Sequence, residues 1–130
     1  MALQHKNCIY NLIEEDSNSP YLVLTHYLGD ERAVVLDSYV LGYPVLEIDA
    51  KAFKGCARIK EIVLPSTLQR IGIFAFAGCV SLKELDLPES VQSVEDYAFY
   101  KCTRLSKVTY NSSSIQISES AFRGCPILKK

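Results

Sequence analysis

Apolar and polar positions repeat along the chain with a period of 23 residues. One unit reads "AFKGCARIKEIVLPSTLQRIGIF" from Ala52 to Phe74, and the next reads "AFAGCVSLKELDLPESVQSVEDY" from Ala75 to Tyr97. A third unit, from Ala98 to Ser120, is looser, and a fourth begins at Ala121. Repeats of this length are typical of solenoids, in which each coil buries its apolar face against the next coil.

Two patterns predict the elements inside each unit. From Ile62 to Leu64 and from Leu85 to Leu87, apolar residues alternate with variable ones, which predicts a short strand with one buried face that ends at a proline. The apolar spacing of three in "LQRI" and "VQSV" predicts a second segment that is short and either extended or turning. The "AFxGC" motif predicts a short helical turn that ends at glycine.

The repeated unit resembles the BspA-like, or TpLRR-type, leucine-rich repeat, whose pattern is "AFxGCxxLxxIxLPxxLxxIGxx". In the second unit the residues that carry the resemblance are Ala75, Phe76, Gly78, Cys79, Leu82, Leu85, Leu87, Pro88, Val91 and Val94. The resemblance implies an α/β fold, a right-handed leucine-rich-repeat solenoid of 23-residue repeats with a parallel sheet and short helical turns. Burial of one Phe or Leu of this pattern contributes about 1.5–3 kcal/mol.

The ends of the chain differ from the repeats. Residues 1–32 contain two strand-like runs, "CIYNLIEE" and "YLVLTHYL", which predict an N-terminal β-hairpin cap on the repeats of residues 33–130. Five extra residues in the first unit are expected to loop out around Leu41 to Pro44. We expect one structural domain overall. Because no capping unit follows "AFRGCPILKK", we expect its last coil to be covered by further chain or by a partner, and a second copy of the chain in a homodimer is one such partner.

Composition excludes several classes of function. The chain has 48% hydrophobic residues, 22% charged residues and a net charge of -1, with Lys and Arg scattered among Asp and Glu. This balance offers no basic field for nucleic acid. The sequence has no run of about 18 apolar residues, so membrane insertion is not expected, and its start lacks the apolar core of a signal peptide.

The cysteines and histidines suggest no catalytic, cofactor or metal site. Four of the five cysteines lie in the repeat register, and stacked coils pose them poorly for disulfides, so we expect buried and inert thiols. The two histidines are isolated, and no "CxxC" spacing occurs. The protein is therefore expected not to be an enzyme; a cysteine-dependent enzyme or redox protein that uses Cys8 is the alternative.

The candidate site is the outward face of the predicted strands. The period of two places two columns of side chains there, and in leucine-rich repeats generally this face is favoured for binding. The columns consist of Ala33, Val35, Glu61, Val63, Glu84, Asp86, Lys107 and Thr109. A solvated sheet is the alternative interpretation. Phe74, Tyr97 and Tyr100 form a secondary candidate contact, with packing between coils as the alternative.

These features predict a non-catalytic module that binds a protein or peptide. The resemblance implies a bacterial cell-surface or secreted adhesion protein, with host or microbial proteins as ligands. The absent export signal favours instead, if the chain is complete, a cytoplasmic scaffold or self-associating protein.

Overall fold

The computed structural model of the chain describes residues 1–15, 18–111 and 113–129. Its elements are twelve β-strands and one 3-10 helix. The strands are β1 (Ala2–His5), β2 (Cys8–Ile13), β3 (Tyr21–Tyr27), β4 (Ala33–Val35), β5 (Tyr39–Val40), β6 (Tyr43–Ile48), β7 (Glu61–Val63), β8 (Arg70–Ile71), β9 (Glu84–Asp86), β10 (Ser93–Val94), β11 (Lys107–Thr109) and β12 (Gln116–Ile117), and the 3-10 helix spans Pro126–Lys129. Within these described ranges, no helix is long and apolar enough to cross a membrane.

Each coil of the solenoid contributes one strand to each of two sides. The first side holds β4, β7, β9 and β11, as the alternating pattern predicts, and these strands pair in parallel as β4 with β7 and β9 with β11. The second side holds β6, β8, β10 and β12, which form one continuous parallel ladder. The segment expected to be extended or turning is therefore a strand of the largest sheet.

The N-terminal strands extend this largest sheet. Its order is β1-β2-β3-β6-β8-β10-β12, with β5 paired to β6. The predicted pair of strands is present as β2 and β3, which are antiparallel, and β3 pairs in parallel with β6 of the first coil. Sequence reasoning missed β1, which pairs with β2. The role of this hairpin as a cap stays a prediction.

The extra residues of the first coil form a tight hairpin. β5 and β6 pair in antiparallel fashion around Leu41 and Gly42, and both of these residues have positive φ, 53° and 85°. Two successive residues with positive φ are the feature of the type I′ turn, whose twist matches that of the flanking strands. The looping-out expected around Leu41 to Pro44 is confirmed.

A column of stacked aromatic rings forms the centre of the core. Neighbouring ring centroids lie 4.7–5.1 Å apart and nearly parallel, and every ring of the column is buried. The column runs through Tyr27, Phe53, Phe76, Phe99 and Phe122. Such stacked pairs contribute about 0.5–1.5 kcal/mol beyond the burial of their area.

The "AFxGC" segments are hydrogen-bonded turns, so the short helical turn predicted there is not confirmed. The N–H groups of Ala77 and Cys79 donate to the carbonyls three residues earlier, both at 3.2 Å. The alternate N–H groups of Phe76 and Gly78 donate instead to the next coil, to Ala98 O at 2.7 Å and Tyr100 O at 2.8 Å. An α-helix would need these same donors for bonds within the segment, so stacking of the coils excludes it.

The cysteines are free thiols, as predicted, and three of them bond between coils. The Sγ atoms of Cys79, Cys102 and Cys125 donate to the Phe carbonyl of the preceding coil at 3.3, 3.1 and 3.1 Å. Cys79, Cys102 and Cys125 are buried, as the repeat register predicts, and so is Cys8, whereas Cys56, which was also expected to be buried, is half-buried. Cysteine fits this position because it is small and apolar and still carries a weak donor.

Candidate functional site

The eight predicted side chains of the sheet face lie where the sequence places them. All are exposed, while Val34, Ile62 and Leu85 between them are buried. The ladder registers align Ala33 with Glu61, Val35 with Val63, Glu84 with Lys107, and Asp86 with Thr109. We call these eight residues the graded strip, because they change from apolar to charged along the solenoid.

The apolar end of the graded strip exposes two adjacent valines. Val35 and Val63 are direct partners in the β4–β7 ladder, and their exposed fractions are 66% and 57%. β-branched side chains stabilise strands partly by packing against cross-strand neighbours, which explains their pairing. Because both side chains face water, they contribute no packing to the hydrophobic core.

At the charged end of the strip, the polar side chains form an ion pair and a hydrogen bond with one another. Lys107 Nζ lies 3.9 Å from Glu84 Oε1, and Thr109 Oγ1 donates to Asp86 Oδ1 at 2.7 Å. Exposed ion pairs of this kind contribute little to stability, about 0–1 kcal/mol. Their charges therefore remain available to a ligand at small cost.

A shallow depression of about 450 Å³ lies on the strip and is lined by residues of β7, β9 and β11. It crosses the gap between β7 and β9, two neighbouring strands that no ladder joins, although both are fully described. Lys60 and Lys83 line its rim together with the charged strip residues. These two lysines were not among the predicted site residues, although both precede a strip glutamate by one position.

The secondary candidate residues form one half-buried aromatic cluster. The rings of Phe74 and Tyr97 stack at 5.1 Å with an angle of 7° between their planes, and Tyr100 meets both edge-on at 6.1 and 5.4 Å. Phe74 and Tyr97 also have positive φ, 57° and 56°, which bulky residues rarely adopt. Packing between coils accounts for the stacking, and nothing in the contacts alone requires a partner.

Sequence reasoning missed an ionic bridge on the opposite sheet. Arg70 reaches Glu47 Oε1 at 2.8 Å and Glu95 Oε1 at 2.9 Å, so one guanidinium joins three coils. All three side chains are partly buried. Only the strand register brings these residues together, since 23 and 25 positions separate the partners along the sequence.

The described residues show neither a cluster of metal ligands nor an activated thiol. No group of three or more His, Cys, Asp or Glu residues in the described ranges could hold a metal ion. Burial raises the pKa of the Cys8 thiol, which outweighs its hydrogen bond with Tyr10. A side-chain hydrogen bond with Cys125 lowers the pKa of Cys102, but a hydrogen bond with Cys79 and burial outweigh it and raise this pKa to about 12. Thiols of this kind are poor nucleophiles at neutral pH.

Solved structures of leucine-rich repeat proteins are similar to the chain. The Treponema pallidum protein TpLRR is 35% identical, and the match covers 94% of this chain and 56% of that one, with a TM-score of 0.83. A Bacteroides ovatus leucine-rich repeat protein is 28% identical over 95% of this chain and 33% of its own, with a TM-score of 0.75. A leucine rich cell surface protein from Faecalibacterium prausnitzii shares the fold at 23% identity, with a TM-score of 0.50 over 96% of this chain and 46% of that one.

The coils, the stacked turns and the ladder registers define a leucine-rich-repeat solenoid. The family model for the BspA type leucine rich repeat region matches residues 36–130 with six copies. The chain belongs to this family, as its repeats predict. No curated protein sequence matches the chain. The chain spans less than two thirds of the length of each of the three similar structures.

Proposed function

We propose that the protein is a non-catalytic binding module that holds a protein or peptide on the graded strip. The observation that carries the proposal is the exposed pair Val35 and Val63 beside the charged residues Glu84 and Asp86. An apolar patch with a charged border is the usual composition of a protein interface. The depression between β7 and β9 supplies the concavity that an inserted side chain needs.

A peptide library displayed on phage tests this proposal without a known ligand. Peptides of about twelve residues that are selected on the intact protein are measured against Val35→Ser/Val63→Ser and against Glu84→Lys/Asp86→Lys. We expect the affinity of the selected peptides to fall at least about tenfold on both variants, because central anchors carry most of the binding free energy.

The matched control is Glu14→Lys/Glu89→Lys, which makes the same change of charge at two exposed residues outside the strip. Its affinity for the peptides should equal that of the parent protein. Peptides that bind all variants equally well would show that the graded strip is only a solvated sheet.

The location on a bacterial surface, or secretion as an adhesion protein, is the second part of the proposal. It is supported by the family, and by the description of the Faecalibacterium prausnitzii relative as a cell surface protein. Host or microbial proteins are the ligands of an adhesin. An immunoblot of surface, secreted and soluble fractions of the native cells tests the location, and a signal in the soluble fraction alone would contradict it.

Self-association is the second candidate function, and the C-terminal end of the solenoid favours it. The outer edges of β11 and β12 pair with no other described strand. A depression of about 380 Å³ on this end is lined largely by apolar side chains, among them Val108, Phe122 and Ile127. Unpaired strand edges beside apolar surface are a template for a second chain.

A further inference from the structure

The basic residues of the repeats are segregated in sequence by position within the unit. The equivalent stretches 51–59, 74–82, 97–105 and 120–127 contain no Asp or Glu, although the chain has 15 acidic residues. The same stretches hold six of the 14 basic residues, namely Lys51, Lys54, Arg58, Lys101, Arg104 and Arg123. The net charge of -1 therefore conceals a one-sided distribution.

The fold gathers these four stretches on one side of the molecule. They contain the stacked "AFxGC" turns, which hydrogen bonds join coil to coil, as from Phe53 N to Ala75 O at 2.7 Å and from Lys101 N to Arg123 O at 2.8 Å. All six basic side chains are exposed. None of the ion pairs among the described residues involves any of them.

One of the six is set apart by its surroundings. Arg58 Nε donates to the Asp30 carbonyl at 3.1 Å, in a groove that Glu31 also lines. The acidic side chains there reduce the positive potential around Arg58. We therefore define the basic turn face by the other five residues, Lys51, Lys54, Lys101, Arg104 and Arg123.

Two cations of the basic turn face enclose the aromatic cluster. Lys54 Nζ lies 5.9 Å from the centroid of Phe74, and the Arg123 guanidinium lies 5.6 Å from that of Tyr97. Since Phe74 and Tyr97 stack on each other, the ring faces are occupied. Lys101 lies 5.2 Å from the Tyr100 ring and adds a third cation. The coil spacing of about 4.8 Å puts Lys54 and Arg123 roughly 14 Å apart along the solenoid axis.

From this arrangement we propose that the basic turn face binds an acidic segment of a partner protein. The row of cations complements the carboxylates of an extended chain. The occupied ring faces leave no platform on which nucleobases or sugar rings could stack, and such platforms are what single-stranded nucleic acid uses. Val80, exposed by 39%, and the edges of the tyrosines provide the apolar and aromatic contacts that are enriched in protein interfaces.

This surface is distinct from the graded strip, and its function does not depend on ligand binding there. The strip lies on β4, β7, β9 and β11, whereas the basic turn face lies on the turns that follow β6, β10 and β12. The two proposals can therefore fail separately.

The test uses a fluorescein-labelled peptide in which six glutamates alternate with six leucines. Fluorescence anisotropy at about 0.05 and 0.15 M salt compares the parent protein with Lys54→Gln/Lys101→Gln/Arg123→Gln. We expect the triple variant to bind at least about tenfold more weakly at the lower salt, and the parent affinity to fall as salt rises, because exposed charges are screened. Unchanged urea midpoints verify that the variants fold.

The matched control, Lys6→Gln/Arg32→Gln/Arg58→Gln, removes three exposed positive charges outside both the basic turn face and the graded strip. It should bind the peptide as the parent does. Equal loss in both triple variants would show a general charge effect and would overturn the proposal. The proposal would also be overturned if the parent protein did not bind the peptide. It would be overturned as well if the first triple variant bound the peptide as the parent does and lost binding only to a sulfated oligosaccharide, duplex DNA or phosphatidylserine vesicles.

Discussion

At the scale of single residues, each member of the "AFxGC" motif makes a contact that must recur in every coil. The phenylalanine joins the ring column, the cysteine thiol donates to the carbonyl of the preceding coil, and Gly55, Gly78 and Gly124 take positive φ. Lys101 takes the same conformation, with φ of 56°, where the third unit has no glycine. The motif is therefore a set of contacts between neighbours, which explains why it repeats so closely.

At this scale the sequence predicts which side chains are buried, but the repeat period does not predict where the backbones of neighbouring coils come close together. The 23-residue period correctly predicts that Phe76, Cys79 and Leu82 are buried. The crowding at Gly72 is invisible to the period of this chain, because the equivalent residues in the next coils are Glu95 and Ser118, although the family pattern has a glycine at this position. It depends on the local path of the neighbouring backbone.

Gly72→Ala should destabilise the protein strongly. A Cβ atom at this position would lie 2.9 Å from Ala50 N and 3.0 Å from Ile48 O, so the backbone of the adjacent coil must shift. Overpacking of this kind costs about 1–3 kcal/mol. Urea unfolding followed by circular dichroism measures the change in the free energy of unfolding.

The control is Gly55→Ala, where an added Cβ meets nothing within 4 Å but φ is +75°. It isolates the conformational cost of an L residue, on the order of 1 kcal/mol. Equal stability of the Gly72→Ala variant and the parent protein would contradict the close approach of these coils.

At the scale of elements, alternation predicts the strands that have one buried and one exposed face. It places β7 and β9 correctly, because Ile62 and Leu85 point inward between exposed neighbours. It does not identify β8 and β10, which are two residues long and gain their regularity from parallel pairing with adjacent coils. It also misses β1, whose structure depends on pairing with β2.

An ionic contact joins the β1–β2 turn to the loop after β4 and should make stability depend on pH. The hydrogen bond from His5 at 2.8 Å, and then the contact with Lys6, hold the pKa of Asp37 below its ordinary value of 3.8. This stabilisation is present above pH 4 and is lost as the pH falls below that ordinary value and through the folded-state pKa.

Asp37→Asn tests the coupling of these elements. The variant should be less stable than the parent at pH 6, and the difference in urea midpoint should shrink between roughly pH 4 and pH 2.5, as the parent carboxylate is protonated. Glu89→Gln removes one negative charge at an exposed residue and serves as the control. Parallel curves for Asp37→Asn and the parent would mean that the contact adds no stability.

At the scale of the whole molecule, composition is a poor guide to the surface. Scattered charges in the sequence suggested no electrostatic patch, yet the repeat period sorts six basic residues onto the side of the turns. The positions of the graded strip were predictable because a period of two determines which side chains point outward. The depression within it was not, because it arises where the ladder between β7 and β9 is missing.

Self-association through the C-terminal edges of β11 and β12, the second candidate function, predicts a reversible dimer. Sedimentation velocity over about 1–100 μM should show a mass that rises with concentration, as mass action requires. Tyr110→Arg changes an exposed residue of that end and should shift the equilibrium to monomer, whereas Tyr39→Arg, at an exposed tyrosine of the β5–β6 hairpin, should not. A constant monomeric mass at all concentrations would contradict self-association.

The missing ladder between β7 and β9 also makes the molecule mechanically uneven. Continuous hydrogen bonding holds the coils at a fixed spacing along β6, β8, β10 and β12, whereas the opposite side is free of such bonds at its midpoint. Bending there widens or narrows the space between Val63 and Asp86 without breaking any backbone pairing. The two halves of the graded strip are therefore held together only through the rest of each coil, so a change in the curvature of the solenoid would change the distance between them.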